Sequence, residues 1–153
     1  MDTHSLLAEW TLEFVKNKDI TSRRIEAIEH NKNGFDMCVR YNDKEQCFAI
    51  AHSLENTRQL MQRIGHESCV AIVTLNSGKN LDFLFRNWND FARFKFLSII
   101  FVNPLSSLDK KWIIVPYLHD RICDKSSLEL GLKSIAQAVE QIEEQELVAR
   151  IRG

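Results

Sequence analysis

A polar turn, Asn76-Ser77-Gly78-Lys79-Asn80, lies between a predicted buried strand and a predicted helix, where a chain can bind an anion. In open α/β sheets the N–H groups at such a helix start lack internal partners and point toward a bound anion. Ser77, Gly78 and Lys79 are therefore candidate binding residues for a small anion. The Gly-x4-Gly-Lys-Ser/Thr pattern of a P-loop is absent, and an ordinary strand–helix turn explains the same residues.

Basic and aromatic side chains alternate in the stretch that follows. Arg86, Arg93 and Lys95 are interleaved with aromatic residues, namely Trp88, Phe91, Phe94 and Phe96. Aromatic rings can stack on nucleic-acid bases while basic side chains hold the phosphates, so Arg86, Arg93 and Lys95 are candidate nucleic-acid contacts. A helix with its aromatic residues toward the core and its basic residues toward water is the simpler alternative.

The overall composition gives no independent sign of a nucleic-acid partner. The 20 Lys and Arg residues nearly equal the 21 Asp and Glu residues, whereas nucleic-acid-binding domains usually carry a basic surface. A local basic face is still compatible with this balance. No stretch approaches the ~20 consecutive apolar residues of a membrane span, and the first residues lack the features of a secretory signal. We therefore expect a cytoplasmic protein without a membrane partner.

The four cysteines are Cys38, Cys47, Cys69 and Cys123, and no two of them have the C-x-x-C spacing of a zinc or redox motif. All lie in apolar, strand-like runs, which predicts small buried hydrophobic residues. Cys38 and Cys47 can come close across a hairpin, but a disulfide is not expected in the cytoplasm.

Hydrophobic periodicity divides the chain into helices and strands. Helical spacing occurs in segments 2–19, 53–65, 81–91 and 126–145, and strand-like runs occur in 35–41, 46–52, 69–75, 96–102 and 112–118. In segment 23–30 the spacing of Ile25 and Ile28 fits a helix, but the Gly-containing turn that follows fits a hairpin, and we take the segment as a strand. Short polar turns join the first three strands, which should be antiparallel, whereas helices between the later strands imply parallel crossovers. We predict an α/β fold, a mixed central sheet flanked by helices in the order αβββαβαββα.

The last helix and the end of the chain complete the predicted organisation. Ser126-x-x-Glu129 has the form of a capping box, and an apolar stripe follows at helical spacing, formed by Leu128, Leu132, Ile135, Val139 and Ile142. Packing on the sheet explains this stripe, and self-association into a homo-oligomer is the alternative. We predict one domain over residues 1–153, with a frayed tail at 146–153. Pro116 should keep the strand at 112–118 at a sheet edge.

The region from Ile20 to Asn103 is similar to a known nuclease fold. Gly34-Phe35-Asp36 begins the second strand, Phe48-Ala49-Ile50-Ala51 lies on the third, and a helix and a further strand follow. This arrangement resembles the restriction-endonuclease-like (PD-(D/E)XK) superfamily, whose members carry Gly-hydrophobic-Asp and apolar-Glu-apolar-Lys at these two places. The resemblance implies a Mg²⁺ or Mn²⁺ site for phosphodiester hydrolysis, in which carboxylates bind the ion and a lysine stabilises the phosphate charge.

The roles that the resemblance implies are only partly filled. Asp36 matches the first metal-binding carboxylate, and the separate role of an upstream acid is open to Glu26 or Glu29, or to Glu9 or Glu13 on the first helix. Ala49 and Ala51 stand where the Glu and Lys of the third strand should be, and alanine offers neither a ligand atom nor a charge. In some superfamily members a catalytic group lies on the following helix instead, where this chain has Glu55 and Arg58.

These features lead to three hypotheses of function. The first is a nuclease-like domain without catalysis that binds nucleic acid or a partner protein, and for it we expect no cofactor. The second is a Mg²⁺- or Mn²⁺-dependent nuclease with Asp36, Glu55 and Arg58 as catalytic residues and Glu26 with Asp36 as metal ligands. The third is an unrelated α/β protein that binds a small anion at the turn from Ser77 to Asn80.

Overall fold

The computed structural model describes residues 2–108 and 110–152. Its helices are α1 (Thr3–Asp19), α2 (Arg58–Arg63), α3 (Gly78–Arg86), α4 (Trp88–Ala92), α5 (Pro116–Ile122), α6 (Leu128–Ala136) and α7 (Glu144–Arg152). Its strands are β1 (Ile25–Lys32), β2 (Phe35–Tyr41), β3 (Glu45–Ile50), β4 (Val70–Leu75), β5 (Leu97–Val102) and β6 (Lys111–Ile114). Short 3-10 segments lie at Leu54–Thr57 and Lys125–Ser127. None of the helices in the described ranges has the length and apolarity needed to cross a membrane.

All the strands join in one six-stranded sheet in which they lie side by side in chain order. The first three form an antiparallel meander. The pairs β3–β4 and β4–β5 are parallel, and β6 returns antiparallel to β5 at the edge. The predicted α/β class and the mixed sheet are thus confirmed, as are the antiparallel meander and the parallel crossovers.

Helices cover both faces of this sheet. On one face α1 packs through Leu7 and Val15 onto side chains that include Ala71 and Val73 of β4. The alternate residues of β4, Val70 and Ile72, point to the other face. There they pack under side chains of α2, α3, α4 and α6, which include Met61, Leu84, Phe91 and Leu132. Because the central strands are buried on both sides, they are continuously apolar rather than alternating.

Helix α1 and the turn before α6 show how local caps define the helix starts. The Asp2 carboxylate accepts a hydrogen bond from the Ser5 N–H, as an N-cap residue does. The predicted capping box at Ser126 is not formed, because Asp124 caps this region instead. Asp124 accepts from both the hydroxyl and the N–H of Ser126, and these bonds hold the pKa of its carboxyl below the usual value.

The order of elements differs from the prediction between β4 and β5, where α3 and α4 replace the single helix expected at 81–91, and again after β6. Pro116 does not lie in the edge strand but begins α5, where a proline loses no helical hydrogen bond. The predicted last helix ends at Ala136, yet Val139 and Ile142 remain buried beyond it. Because most of the apolar stripe is buried in this chain's own core, packing on the sheet accounts for it.

The segment that we expected to fray from residue 146 is helical through residue 152. Leu147 of α7 is fully buried and packs with Leu75, Ile142 and the partly buried Leu6 and Ile151. The sequence of α7 looked polar because this helix buries only a narrow stripe of apolar side chains. Residue 153, the end of the predicted tail, lies outside the described residues.

The expectation of separate cysteines is wrong for one pair. Cys38 and Cys47 lie opposite each other on β2 and β3, with their Cα atoms 4.0 Å apart, and they form a disulfide. Cys69 and Cys123 are free and half-buried. The hairpin register brings the first pair together, because residues directly opposite on antiparallel strands have neighbouring side chains.

Candidate functional site

A cleft lined by basic side chains lies between the segment Leu54–Arg63, which contains α2, and the helices α3 and α4. It consists of two adjoining cavities of about 290 Å³ and about 260 Å³ that share Arg58, Phe83 and Asn87 as lining residues. We call it the basic cleft. Its cationic lining residues are Arg58, Lys79, Arg86 and Arg93.

The walls of the basic cleft are held by buried contacts beneath them. Asn80 of α3 is 3% exposed, and its amide oxygen accepts from the Leu54 N–H at 3.0 Å. Its amide nitrogen donates to the carbonyl oxygens of His52 and Leu75, 2.8 and 2.9 Å away. Asn80 therefore fixes the start of the Leu54–Arg63 segment to the end of β4, and with it the width of the cleft.

Arg58 and Phe83 meet at the centre of the basic cleft. The Arg58 guanidinium lies 5.5 Å from the centroid of the Phe83 ring, within the range of a cation–π contact. Asn87, where α3 ends, donates through its side chain to the Phe83 carbonyl oxygen at 2.9 Å. A planar guanidinium beside an aromatic ring and an amide is a combination that can contact both a phosphate and a base.

The charges of the basic cleft are not balanced from within. Arg86 pairs with Asp82 at 2.8 Å. In the described part of the chain, Arg58, Lys79 and Arg93 have no carboxylate within 4.0 Å. The lining acids are Glu55 and Asp90, so four positive and two negative formal charges give the lining a net charge of +2.

The predicted anion site at the start of α3 already holds a carboxylate of this chain. The Gly78 N–H donates to Glu143 Oε1 at 3.0 Å. The Ser77 hydroxyl accepts from the Asn80 N–H at 3.1 Å and so acts as the N-cap. Lys79 turns to the basic cleft and lines its smaller cavity. An external anion at Gly78 would have to displace Glu143.

The predicted metal ligands Glu26 and Asp36 do not come together. Glu26 pairs with Arg40 at 3.6 Å, and the register places Ala27 opposite Arg40, near the far end of β2 from Asp36. Four residues of extended chain separate Arg40 from Asp36, which is roughly 13 Å. Because antiparallel strands run in opposite directions, an acid early on β1 faces the end of β2 and cannot share an ion with Asp36.

Both oxygens of Asp36 are used by contacts inside the chain. Oδ1 lies 2.8 Å from His4 Nε2, and Oδ2 accepts from the Ile50 N–H at 2.7 Å. The Ala49 side chain is 8% exposed and belongs to the core, and the Ala51 N–H donates to the Val73 carbonyl oxygen. Neither alanine brings a reactive group to Asp36.

Glu55 and Arg58 do lie together, since both line the smaller cavity of the basic cleft, but Asp36 is not among its lining residues. The described residues contain one group of three candidate ligands whose donor atoms come within 4.8 Å of one another, Cys38, Glu45 and Cys47. That group includes none of the predicted metal ligands. Among residues 2–108 and 110–152, Asp36 therefore belongs to no group of three donors that could hold Mg²⁺ or Mn²⁺.

The residues of the aromatic and basic stretch separate in the fold. Trp88, Phe91 and Phe94 are buried, in agreement with the simpler alternative, while the Phe96 ring is exposed. Lys95 lies over that ring, with its Nζ atom 5.3 Å from the centroid, and does not line the basic cleft. Arg86 and Arg93 do line it.

Sequence reasoning missed Phe83 and Asn87, which stand at the centre of the basic cleft, and Glu143, which occupies the start of α3. Phe83 could have been found as an aromatic residue one helical turn from Lys79. No local signal places Glu143, since 65 residues separate it from Gly78.

Among known proteins, no family matches this chain, and searches of curated proteins and solved structures found no significant match.

Proposed function

We propose that this chain is a non-catalytic nucleic-acid-binding module whose basic cleft holds backbone phosphates. The observation that carries this proposal is the convergence of Arg58, Lys79 and Arg93 on adjoining cavities without a carboxylate partner among residues 2–108 and 110–152. Cations that release counterions from a phosphate backbone supply most of the free energy of non-specific nucleic-acid binding.

The chemistry of the cleft fits a single strand better than a rigid duplex. Arg58 and Arg93 can each make paired hydrogen bonds to phosphate oxygens. Phe83 offers a partly exposed ring beside Arg58, and an unpaired base can stack on such a ring. The cavities, about 290 Å³ and about 260 Å³, suit single nucleotide units rather than the wide face of a duplex. The proposal places this function in the cytoplasm, as the sequence predicts.

The architecture and the alanines support a binding role over cleavage. A helix, an antiparallel meander, a helix and a parallel strand follow one another through β4, which is the arrangement that the resemblance to restriction-endonuclease-like proteins implies. Ala49 and Ala51 cannot bind an ion or stabilise a phosphate, and His4 and the Ile50 N–H engage Asp36. We infer a nuclease-like scaffold used for binding.

Binding is tested by fluorescence anisotropy with labelled single- and double-stranded DNA and RNA over a range of salt concentrations. We expect Arg58→Ala/Lys79→Ala to weaken binding at least 10-fold at low salt. The slope of log affinity against log salt should fall by about one for each phosphate that the variant no longer neutralises. The matched control is Lys16→Ala/Lys18→Ala, which removes the same charge from exposed positions on α1, across the sheet.

The control should bind within about twofold of the wild type. Equal losses in both double variants would mean that only net charge matters, and no binding by the wild type at low salt would refute the proposal. Cleavage is tested on the same nucleic acids with Mg²⁺ or Mn²⁺ and with Asp36→Ala. We expect no cleavage; metal-dependent cleavage that Asp36→Ala abolishes would establish the nuclease alternative instead.

A further inference from the structure

The cysteine pair of the meander lies beside a carboxylate, and this group lies outside the basic cleft. Cys38 and Cys47 are opposite each other on β2 and β3 and are joined as a disulfide. Glu45 begins β3, and its Oε1 atom is 3.7 Å from Cys47 Sγ. One donor atom from each of the three residues lies within 4.8 Å of the other two.

We propose that Cys38, Cys47 and Glu45 bind a zinc ion when the disulfide is reduced. Two thiolates and a carboxylate are ordinary zinc ligands, and a water would complete a four-coordinate site. The disulfide and the zinc complex exclude each other, because a disulfide sulfur has no thiolate charge to donate. The site would therefore hold zinc only in a reducing environment.

The chemical steps balance with a dithiol as the reductant. The dithiol transfers two electrons and two protons to the Cys38–Cys47 bond, which breaks into two thiols while the dithiol closes to its own disulfide. Binding of Zn²⁺ then replaces the two thiol protons, which are released to solvent. Zinc affinity should consequently rise with pH until both thiols are deprotonated.

The geometry of the strand pair suits this exchange. Two sulfurs in a tetrahedral zinc site with bonds of about 2.3 Å are roughly 3.8 Å apart. Directly opposed residues on antiparallel strands have side chains within this reach, and the two Cα atoms here are 4.0 Å apart. Rotation of the side chains about their own bonds can reach this separation while the strand register is kept.

A lysine beside the group adjusts its charge. Lys32 Nζ donates to Glu45 Oε2 at 2.9 Å and to Glu29 Oε1 at 3.3 Å. It thereby holds one Glu45 oxygen and leaves Oε1 toward Cys47. Two thiolates and the Glu45 carboxylate carry three negative charges, of which zinc offsets two, while Lys32, which also pairs with Glu29, offsets part of the third. Such a balance matters because Cys38 is only 1% exposed, and an unbalanced buried charge is costly.

Zinc has a route to the group from solvent. The Glu45 side chain is 36% exposed, and the exposed turn at residues 42–44 precedes it. Cys38 and Cys47 lie behind it and are nearly buried. The two remaining thiols, Cys69 and Cys123, are not part of the group, and burial raises the pKa of the Cys69 thiol, which makes its thiolate scarcer.

The test uses the 153-residue chain with Co²⁺ as a spectroscopic substitute for Zn²⁺. A phosphine reductant, which does not compete as a thiol ligand, opens the disulfide before the titration. We expect the reduced wild type to bind one Co²⁺ with thiolate-to-cobalt charge-transfer absorption, and Zn²⁺ to displace it. The oxidised wild type should show no such absorption, and this comparison needs no mutation.

Variants then assign the ligands. Cys38→Ser and Cys47→Ser should each weaken metal binding at least 100-fold, and Glu45→Gln and Lys32→Met about 10-fold or more. Because Glu45 and Lys32 are partly exposed, their variants keep the test valid if a cysteine variant fails to fold. Cys69→Ser/Cys123→Ser is the matched thiol control and should bind metal normally. Uptake that persists in Cys47→Ser, or none by the reduced wild type, would overturn the proposal.

Discussion

Two polar regions of this protein differ in where their partners come from. Asn76 and Asn103, which directly follow β4 and β5, form with Asn80 of α3 what we call the asparagine cluster, and all three are nearly fully buried. Asn76 Nδ2 donates to the carbonyl oxygens of Val139 and Glu140, both at 3.1 Å, and its Oδ1 accepts from Trp112 Nε1 at 2.8 Å. The basic cleft, by contrast, exposes cations whose charges are not matched.

The difference separates structure from binding. A buried amide must be satisfied from within, since leaving it without a partner costs free energy of folding. An exposed arginine loses little by remaining free in water, and so it can serve an external anion. Asp36 and Gly78 belong with the asparagine cluster in this respect, because His4, Ile50 and Glu143 already bond to them. Variants in the two kinds of region should therefore fail in different assays.

The largest effect on stability is expected from Asn76→Ala. This change leaves the Trp112 indole N–H without its acceptor and removes the Asn76 donor from the Val139 and Glu140 carbonyl oxygens, of which the second keeps a bond from Asn103 Nδ2 at 3.0 Å. The free energy of unfolding should fall by about 3 kcal/mol, measured by urea denaturation. Asn56→Ala is the control, since Asn56 is exposed, and it should change stability by less than about 0.5 kcal/mol. Equal effects of the two variants would contradict the structural role of the cluster.

A smaller effect is expected from Asp36→Ala. The change removes the acceptor of the Ile50 N–H and the partner of His4. A charge-assisted bond at a partly buried site is worth about 1–2 kcal/mol, so the free energy of unfolding should fall by that amount, while nucleic-acid affinity should not change. Asp43→Ala, in the exposed turn before β3, is the matched control. Stabilisation of the wild type by Mg²⁺ that disappears in Asp36→Ala would show that Asp36 serves a metal after all.

Glu143→Ala should lower the free energy of unfolding by a smaller amount, about 0.5–1 kcal/mol, because it removes a single carboxylate from an exposed helix start. Its neighbour Glu140 offers a matched control, since its side chain is exposed. Thermal unfolding measures both variants. Because the basic cleft can itself hold phosphate, the Gly78 site is tested in Arg58→Ala/Arg93→Ala, which inorganic phosphate should not stabilise while Glu143 occupies the Gly78 N–H. A phosphate-dependent rise in Tm that persists in this double variant would favour a small-anion site at this turn.

Much of the fold could be predicted from local patterns. The continuous apolar runs at 69–75 and 96–102 correctly indicated strands covered on both faces, and the short polar turns indicated the meander. The prediction of helices and strands failed where the local pattern is compatible with more than one structure. Pro116 fits an edge strand or a helix start equally well, and the polar stretch after residue 143 concealed the narrow buried stripe of α7.

The candidate site was predicted less well, because long-range contacts decide it. Lys79, Arg86 and Arg93 were found from their type and spacing, and Glu55 and Arg58 do share a cavity with two of them. The contact of Glu143 with Gly78 and that of His4 with Asp36 span 65 and 32 residues. Hydrophobic periodicity does not predict such long-range contacts. The sequence therefore identified the charged residues but not which of them lack a partner within the chain.

The smallest effect on stability is expected in the basic cleft itself. Arg58→Ala and Arg93→Ala remove exposed cations without a carboxylate partner among the described residues, so the free energy of unfolding should change by less than about 0.5 kcal/mol. Each should nevertheless weaken nucleic-acid binding severalfold. Arg63→Ala is the informative control, because this exposed arginine donates to the carbonyl oxygens of Asn33 and Gly34 at 2.8 and 3.1 Å. It should lose about 1 kcal/mol of stability and keep its affinity. If Arg58→Ala destabilised the fold as much as Arg63→Ala and left binding intact, the basic cleft would be a structural feature like the asparagine cluster.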